Sequence, residues 1–143
     1  MREGLRTSRP LRAVAAVILF GGLAFLVVRH LQNTPSEVEL AVSLGSAAAD
    51  LVSLELRASR GGDDSSVAFR LRRTFGAKAP RTLRSKLKLV DGDYRVEVDL
   101  RYRAAPPKRI RTRATSLGPN AVRLARSMTV RGSGALTIVI GDD

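Results

Sequence analysis

Hydrophobic residues follow two different patterns along this chain. Residues 13–28 carry no charged side chain, and ten of these 16 residues are Val, Ile, Leu or Phe. Beyond residue 37, apolar residues recur instead at every second position. A continuous apolar run predicts a helix in nonpolar surroundings, whereas an alternation of period two predicts β-strands. The pattern therefore predicts one N-terminal helix followed by an all-β domain.

The apolar run is long enough for a transmembrane helix, which we predict over residues 13–31. As an α-helix, residues 13–28 would extend about 24 Å, and Arg12 and Arg29 can reach the two interfaces of a hydrocarbon core of about 30 Å. The run has no polar stripe, which disfavours a buried core helix. Cleavage as a signal peptide remains an alternative, although small residues with suitable spacing are not found just beyond the run.

The charges that flank the run predict its orientation. Four arginines and one glutamate precede it, whereas Arg29 follows it and Glu37 and Glu39 come next. The positive-inside rule then places residues 1–12 in the cytoplasm and the later domain outside it. In a bacterium this corresponds to the inner membrane, with a periplasmic or extracellular domain. Residues 32–37 are polar, contain Pro35 and are predicted to be a linker.

The remaining residues, 38–143, are predicted to form an exported antiparallel β-sandwich of about seven strands. Seven to eight short alternating segments are separated by turn residues at intervals of about 10–15 residues, which is typical of sandwiches. The segment from Ile110 to Ala114 is the weakest of these predicted strands. The segment "SLGPN" after it is predicted to be a break. We find no sustained helical period after residue 31.

One stretch resembles a known group of domains. Residues 89–98, "LVDGDYRVEV", have the pattern Leu-x-x-Gly-x-Tyr-x-Val-x-Val. This pattern resembles a stretch common to immunoglobulin-like, fibronectin-like and transthyretin-like β-sandwich domains. The resemblance implies a structural corner, in which Gly92 relieves the backbone and the Tyr94 hydroxyl bonds to a backbone group near the preceding corner. A plain hairpin with an Asp91-Gly92 turn is the alternative, and it would place Lys86 opposite Glu97.

Composition removes most catalytic chemistries. The chain has no cysteine, and its one histidine, His30, lies beside the predicted membrane segment. Disulfides, thiolate metal sites and histidine-based triads are therefore excluded from the exported domain, and we predict no cofactor and no metal. The acidic residues lie in predicted turns or at outward strand positions, which does not favour a glycosidase. We predict that the protein is not an enzyme.

The charge balance points to binding. The chain carries 25 basic and 13 acidic residues, and 18 basic residues against four acidic ones fall between Val67 and Arg131. Many of the basic residues occupy outward strand positions, where neighbouring strands can bring them onto one face that holds phosphates or carboxylates. These predicted anion-binding residues are Arg70, Arg72, Arg84, Lys86, Lys88, Arg101, Arg103, Arg109, Arg111 and Arg113. A soluble exterior without a ligand is the simpler interpretation, and GC-rich coding explains part of the excess of arginine over lysine.

We therefore expect a noncatalytic, single-pass envelope protein. Its basic domain would bind an anionic component, such as anionic lipid, lipopolysaccharide or an acidic envelope polymer. The main alternative is an interaction with a partner protein through a sheet edge or loops. Nucleic-acid binding is a further alternative, but the exported part has only four Phe and Tyr residues for base stacking, and their alternation places most of them inward.

Overall fold

The computed structural model describes residues 9–61 and 66–141. Contacts divide the chain into two compact units, of which the first ends at Thr34 and the second begins at Pro35. The first unit contains the apolar run, and the second contains the region of alternating residues. Each unit is described by itself.

The first unit contains one long helix, α1 (Arg9–Gln32). Pro10 is compatible with the first turn, where backbone N–H groups have no partner within a helix. At the other end, the Thr34 hydroxyl donates to the His30 carbonyl oxygen at 2.9 Å. The apolar side chains of α1 are exposed, and by length and composition the helix can cross a membrane. The predicted membrane segment, residues 13–31, lies within it.

The described part of the second unit forms eight strands, a short 3-10 helix at Gly45–Ala48 and one further helix. The strands are β1 (Ser36–Ser43), β2 (Leu51–Arg60), β3 (Val67–Thr74), β4 (Thr82–Leu89), β5 (Gly92–Tyr102), β6 (Thr115–Gly118), β7 (Ala121–Val130) and β8 (Gly134–Val139). The further helix, α2 (Lys108–Arg113), lies between β5 and β6. The predicted all-β class is confirmed.

The strands form two sheets. Sheet I has the order β4-β1-β8, and sheet II has the order β3-β2-β5-β7-β6. Every pairing is antiparallel except that of β1 with β8, which is parallel. The two sheets are therefore mainly antiparallel, as predicted, with this parallel pair as the difference. The segment after β7 changes sheets, and β8 consequently runs beside β1 in the same direction.

The core lies between the two sheets and follows from the alternation. Val38, Leu40 and Val42 point inward from β1, while Leu54 and Leu56 do so from β2, and each is at most 1% exposed. Burial of each such side chain contributes roughly 1.5–3 kcal/mol relative to exposure. The period-two pattern in the sequence therefore records which face of each strand is inside.

The connection between β4 and β5 is a corner between sheets. β4 pairs with β1 in sheet I, whereas β5 belongs to sheet II. The Tyr94 hydroxyl donates to the Val90 carbonyl oxygen at 2.6 Å, and Gly92 has a φ of 153°, where a side chain would be strained. The alternative hairpin does not form, because Lys86 is aligned with Glu39 of β1.

Three boundaries differ from the sequence prediction. β1 begins at Ser36, inside the predicted linker 32–37, because Ser36 pairs with Leu89 of β4. The predicted strand at Ile110–Ala114 is helical up to Arg113, as part of helix α2, which follows two prolines. The buried side chain of Ile110 fits a helical period as well as a strand period. β6 occupies part of the predicted break "SLGPN" because it pairs with the start of β7.

Candidate anion-binding surface

The structure distributes the predicted cationic residues over three separate surfaces. Those of β4 lie on the outer face of sheet I, and those of β3 and β5 lie on the outer face of sheet II. The remainder follow β5 at one end of the sandwich. The single cationic face that we considered from the sequence therefore does not form, because β3 and β4 are in different sheets whose outer faces point in opposite directions.

On the outer face of sheet I, the cations lie beside glutamates of β1. Arg84 lies 3.7 Å from Glu39, and Lys86 lies 3.5 Å from Glu37. All four side chains are at least 44% exposed, so that each pair contributes less than about 1 kcal/mol. Lys88 is aligned with Glu37 in the same ladder. This face therefore balances much of its own charge.

The outer face of sheet II carries a tighter network of ion pairs. The carboxylate of Glu55 in β2 accepts a hydrogen bond from Arg57 Nε at 2.7 Å. It also forms an ion pair with Arg70, in which Nη2 lies 2.7 Å from Oε1. The hydrogen bond from Arg57 is the main reason that the pKa of Glu55 lies below its usual value, with Arg70 acting in the same direction and partial burial opposing both. Arg70, a predicted anion-binding residue, is consequently occupied by a carboxylate of the domain itself.

Two further carboxylates on this face hold arginines. The carboxylate of Asp99 accepts two hydrogen bonds from Arg123, one from Nε at 2.6 Å and one from Nη2 at 2.8 Å. This is the bidentate geometry in which a guanidinium group pairs with a carboxylate. Glu97 lies 3.7 Å from Arg95 and 3.9 Å from Arg123. Sequence reasoning placed Glu97 and Asp99 outward but missed these partners, because finding them requires the order of the strands. Arg72 and Arg101 also lie on this face.

The third surface is the end of the sandwich where β5 finishes. Backbone bonds bring its segments together: the Arg103 N–H donates to the Asp50 carbonyl oxygen at 2.8 Å, and the Leu44 N–H donates to the Arg81 carbonyl oxygen at 2.7 Å. We call this surface the cationic end. Its exposed basic residues are Lys78, Arg81, Arg103, Lys108, Arg109, Arg111 and Arg113.

Helix α2 is the centre of the cationic end. Ile110 of this helix is 3% exposed, and Pro106 just before the helix is also buried. These two apolar contacts fix the short helix against the sandwich, and its basic side chains at 108, 109, 111 and 113 are consequently exposed. The sequence indicated three of these four residues, although it assigned them to a strand.

The cationic end differs from the other two surfaces in having few acidic neighbours among the described residues. Within the described residues, Asp50 is the one carboxylate at this end, and Arg103, Lys108 and Arg111 make no ion pair with any described carboxylate. Acidic residues lie at the opposite end, where Asp91 accepts the Gly132 N–H at 2.8 Å. Among the residues that the structure describes, the unbalanced positive charge is therefore concentrated at the cationic end.

The part of the chain that the structure describes was also searched for groups of side chains that could hold a metal ion. Residues 9–61 and 66–141 contain no cluster of three or more His, Cys, Asp and Glu side chains that could hold a metal ion. Burial raises the pKa of Tyr102, whose hydroxyl donates to the Ala47 carbonyl oxygen at 3.1 Å. That hydroxyl is consequently a structural group.

Comparisons with protein-family models, with curated proteins and with solved structures found no match to this chain. The class of protein is therefore defined by its own architecture, which is a two-sheet β domain preceded by one apolar helix of membrane-spanning length.

Proposed function

We propose that this protein is a noncatalytic, single-pass membrane protein whose β-sandwich binds a polyanion of the cell envelope through the cationic end. The observation that carries the proposal is the concentration of exposed cations around α2, with Asp50 as the one acidic neighbour among the described residues. Phosphate and carboxylate groups are the ligands that clustered arginines recognise.

Helix α1 supplies the anchor in this proposal. Its exposed apolar side chains need a nonpolar environment, and the arginines that precede it favour a cytoplasmic N-terminus. The β domain is then outside the cytoplasm, in a bacterial periplasm or at the cell exterior. Anionic lipid, lipopolysaccharide and acidic envelope polymers all present phosphate or carboxylate groups there.

We further infer that the domain has an immunoglobulin-like or transthyretin-like architecture. Two observations support this: the chain changes sheets between β4 and β5, and the Tyr94 hydroxyl bonds to the Val90 carbonyl oxygen four residues earlier. A tyrosine at a strand start that bonds back to the preceding corner is typical of such sandwiches.

The proposal is tested by binding measurements on the full chain in phosphatidylcholine nanodiscs. The probes are phosphatidylglycerol vesicles, lipopolysaccharide and a soluble acidic polysaccharide, so that the probe that binds identifies the source of the anion. The test variant is the triple substitution Lys108→Gln, Arg111→Gln and Arg113→Gln. At about 1 kcal/mol for each cation near an anionic surface, we expect its affinity to fall by about 100-fold.

The matched control removes the same number of charges from the outer face of sheet I. It is the triple substitution Arg84→Gln, Lys86→Gln and Lys88→Gln, for which we expect less than a tenfold change because these cations lie beside glutamates. Added salt should weaken binding steeply for the unsubstituted protein and for both variants. The Debye screening length falls from about 10 Å at 0.1 M salt to about 3 Å at 1 M salt. Equal losses in the two triple variants would contradict the assignment of the site to the cationic end.

A further inference from the structure

A cavity lies at the cationic end, between helix α2 and the hairpin that β6 and β7 form. It has a volume of about 350 Å³, and pockets for small ligands usually have volumes of about 300–1,000 Å³. Its lining residues come from the segments 106–114 and 116–122. The cavity is therefore large enough for a small ligand, and it lies beside the basic helix α2.

The lining of this cavity is largely apolar. Pro106 and Val122 are buried and Ala114 is half-buried, and all three line the cavity. Ser116 is aligned with Val122 in the β6–β7 ladder, and its hydroxyl donates to the Gly118 carbonyl oxygen at 3.0 Å. The hydroxyl donor in the lining is therefore already used within the domain. An aliphatic group in the cavity would gain apolar contacts without separating this hydrogen-bonded pair.

Arg111 is the charged residue of the lining. It is exposed, and it forms no ion pair with a carboxylate within residues 9–61 and 66–141. None of the described lining residues is Asp or Glu. A guanidinium group binds a phosphate or carboxylate group through paired hydrogen bonds. An anionic group at the edge of the cavity therefore has a partner in Arg111.

Two carboxylates of the described residues need to be considered as competing partners of Arg111. Asp99 lies on the outer face of sheet II, where it holds Arg123 through two hydrogen bonds, whereas Val122 points to the inner face. Asp50 precedes β2, and β5 separates β2 from β7. Two strand spacings correspond to about 10 Å, which is about one Debye length at 0.1 M salt. The charge at the cavity is therefore the local charge of Arg111, whatever the net charge of the domain.

We propose that this cavity binds an anionic amphiphile, a molecule in which a phosphate or carboxylate group is joined to an aliphatic chain, as in a single anionic lipid. Arg111 binds the anionic group, and Pro106, Ala114 and Val122 contact the first carbons of the chain. This inference rests on the proposed function, because it names the class of anion that the cationic end recognises. A hydrophilic polyanion has an anionic group for Arg111 but no aliphatic group for the cavity.

The test uses the full chain in phosphatidylcholine nanodiscs and three water-soluble probes: inorganic phosphate, butyl phosphate and hexyl phosphate. Methyl-resolved NMR spectra follow the signals of Ala114 and Val122, which report on the cavity and not on partitioning of a probe into the bilayer. Because each buried methylene strengthens binding by about fourfold, we expect butyl phosphate to bind at least about tenfold more tightly than inorganic phosphate, and hexyl phosphate more tightly still. Equal affinities of the three probes, or unchanged signals of both residues, would overturn the proposal.

Two substitutions of alanine by phenylalanine test the apolar part of the cavity. Ala114 lines the cavity and has an extended backbone (φ −126°, ψ 152°), which accepts an aromatic residue, so that Ala114→Phe reduces the volume available to the chain. We expect it to remove the preference for hexyl phosphate over inorganic phosphate. Ala77→Phe is the matched control, because Ala77 is exposed in the loop after β3 and does not line the cavity. An equal loss in both variants would contradict the assignment of the aliphatic chain to the cavity.

Two charge substitutions at exposed positions of α2 test the anionic part of the site. We expect Arg111→Gln to weaken the binding of hexyl phosphate by about tenfold, the effect of losing a hydrogen bond to a charged group. Lys108→Gln should change it by less than about threefold, because Lys108 does not line the cavity. Equal losses in the two variants would overturn the proposal, and this comparison decides the question if Ala114→Phe lowers the melting temperature.

The acidic polysaccharide separates failure of this inference from failure of the proposed function. If the polysaccharide binds but the alkyl phosphates bind no better than inorganic phosphate, the polyanion function is supported and the amphiphile inference is overturned. If hexyl phosphate binds at the cavity and the polysaccharide does not bind, the amphiphile inference is supported and the polyanion function is overturned.

Discussion

Single residues fix two places where the chain of this domain packs closely on itself. Tyr94 closes the corner between the two sheets through its bond to the Val90 carbonyl oxygen. Gly141, just after β8, closes the other end of the fold, because a Cβ at this position would collide with the Leu44 carbonyl oxygen and lie 2.8 Å from the Ala47 nitrogen. Both contacts involve backbone atoms, which cannot move aside as a flexible side chain can.

Replacement of Tyr94 by phenylalanine tests the corner. Tyr94→Phe keeps the buried ring but leaves the Val90 carbonyl oxygen without its donor at 2.6 Å. We expect the free energy of unfolding to fall by about 1 kcal/mol, the typical net contribution of one hydrogen bond. Chemical denaturation of the full chain in detergent, followed by circular dichroism at a β-sheet wavelength, measures this change. An unchanged midpoint would show that the hydroxyl does not stabilise the corner.

Replacement of Gly141 by alanine tests the close approach at the end of β8. Because the added methyl group meets the backbone of Leu44 and Ala47, we expect Gly141→Ala to lower the free energy of unfolding by about 1–3 kcal/mol. Gly134→Ala is the matched control, since a Cβ at Gly134 meets no atom within 4 Å. The same denaturation experiment compares the two, and equal stability of both variants would contradict this account.

At the scale of strands and helices, much of the fold could be predicted and the rest depended on tertiary pairing. The alternation from Tyr94 to Tyr102 gave β5 directly, since one face of that strand is buried along its whole length. The segment from Lys108 to Arg113 could not be assigned in this way, because one buried side chain, Ile110, fits either period. β6 has no buried residue at all and exists because it pairs with β7.

The candidate site was predictable in composition but not in geometry. The sequence identified the basic residues Arg103, Arg109, Arg111 and Arg113, which the structure brings to one end. It did not separate them from Arg70, because the ion pair of Arg70 with Glu55 depends on the pairing of β2 with β3. Cross-strand partners are fixed by strand order and register, which alternation alone does not determine.

The ion-pair network on the outer face of sheet II makes stability depend on pH. The pKa of the Glu55 carboxyl group is below its usual value in the folded state. The ionised carboxylate therefore stabilises the fold fully above the unfolded pKa of about 4.5, and this stabilisation is lost as pH falls through the lower folded pKa. We therefore expect Glu55→Gln to lower the free energy of unfolding by about 1 kcal/mol at pH 7 and by much less at pH 3.

Thermal unfolding of the unsubstituted protein and of the Glu55→Gln variant, each at pH 7 and at pH 3, checks this prediction. Glu39→Gln is the control, because Glu39 lies 3.7 Å from Arg84 and its side chain is 44% exposed, against 17% for Glu55. It should change stability by a few tenths of a kcal/mol at either pH. A destabilisation by Glu55→Gln that is the same at pH 3 and pH 7 would contradict the assigned role of the carboxylate.

At the scale of the whole molecule, the account depends on the compartment in which the β domain is found. The apolar helix α1 is predicted to hold the chain in a membrane, and the arginines before it are predicted to keep the N-terminus in the cytoplasm. An exported domain would meet anionic lipids and envelope polymers, which are the ligands that we propose for the cationic end. A cytosolic domain would instead meet nucleic acids, and the same cations would then have a different ligand.

Topology is therefore the most direct test, and the absence of cysteine from the chain makes it simple. Single substitutions Ala77→Cys, in the exposed loop after β3, and Thr7→Cys, before α1, each introduce one thiol for a membrane-impermeant maleimide. In spheroplasts we expect Ala77→Cys to react without lysis, Thr7→Cys to react only after lysis, and both proteins to remain with the membranes after a high-salt wash. Labelling of Ala77→Cys only after lysis, or recovery of the protein in the soluble fraction, would contradict the account.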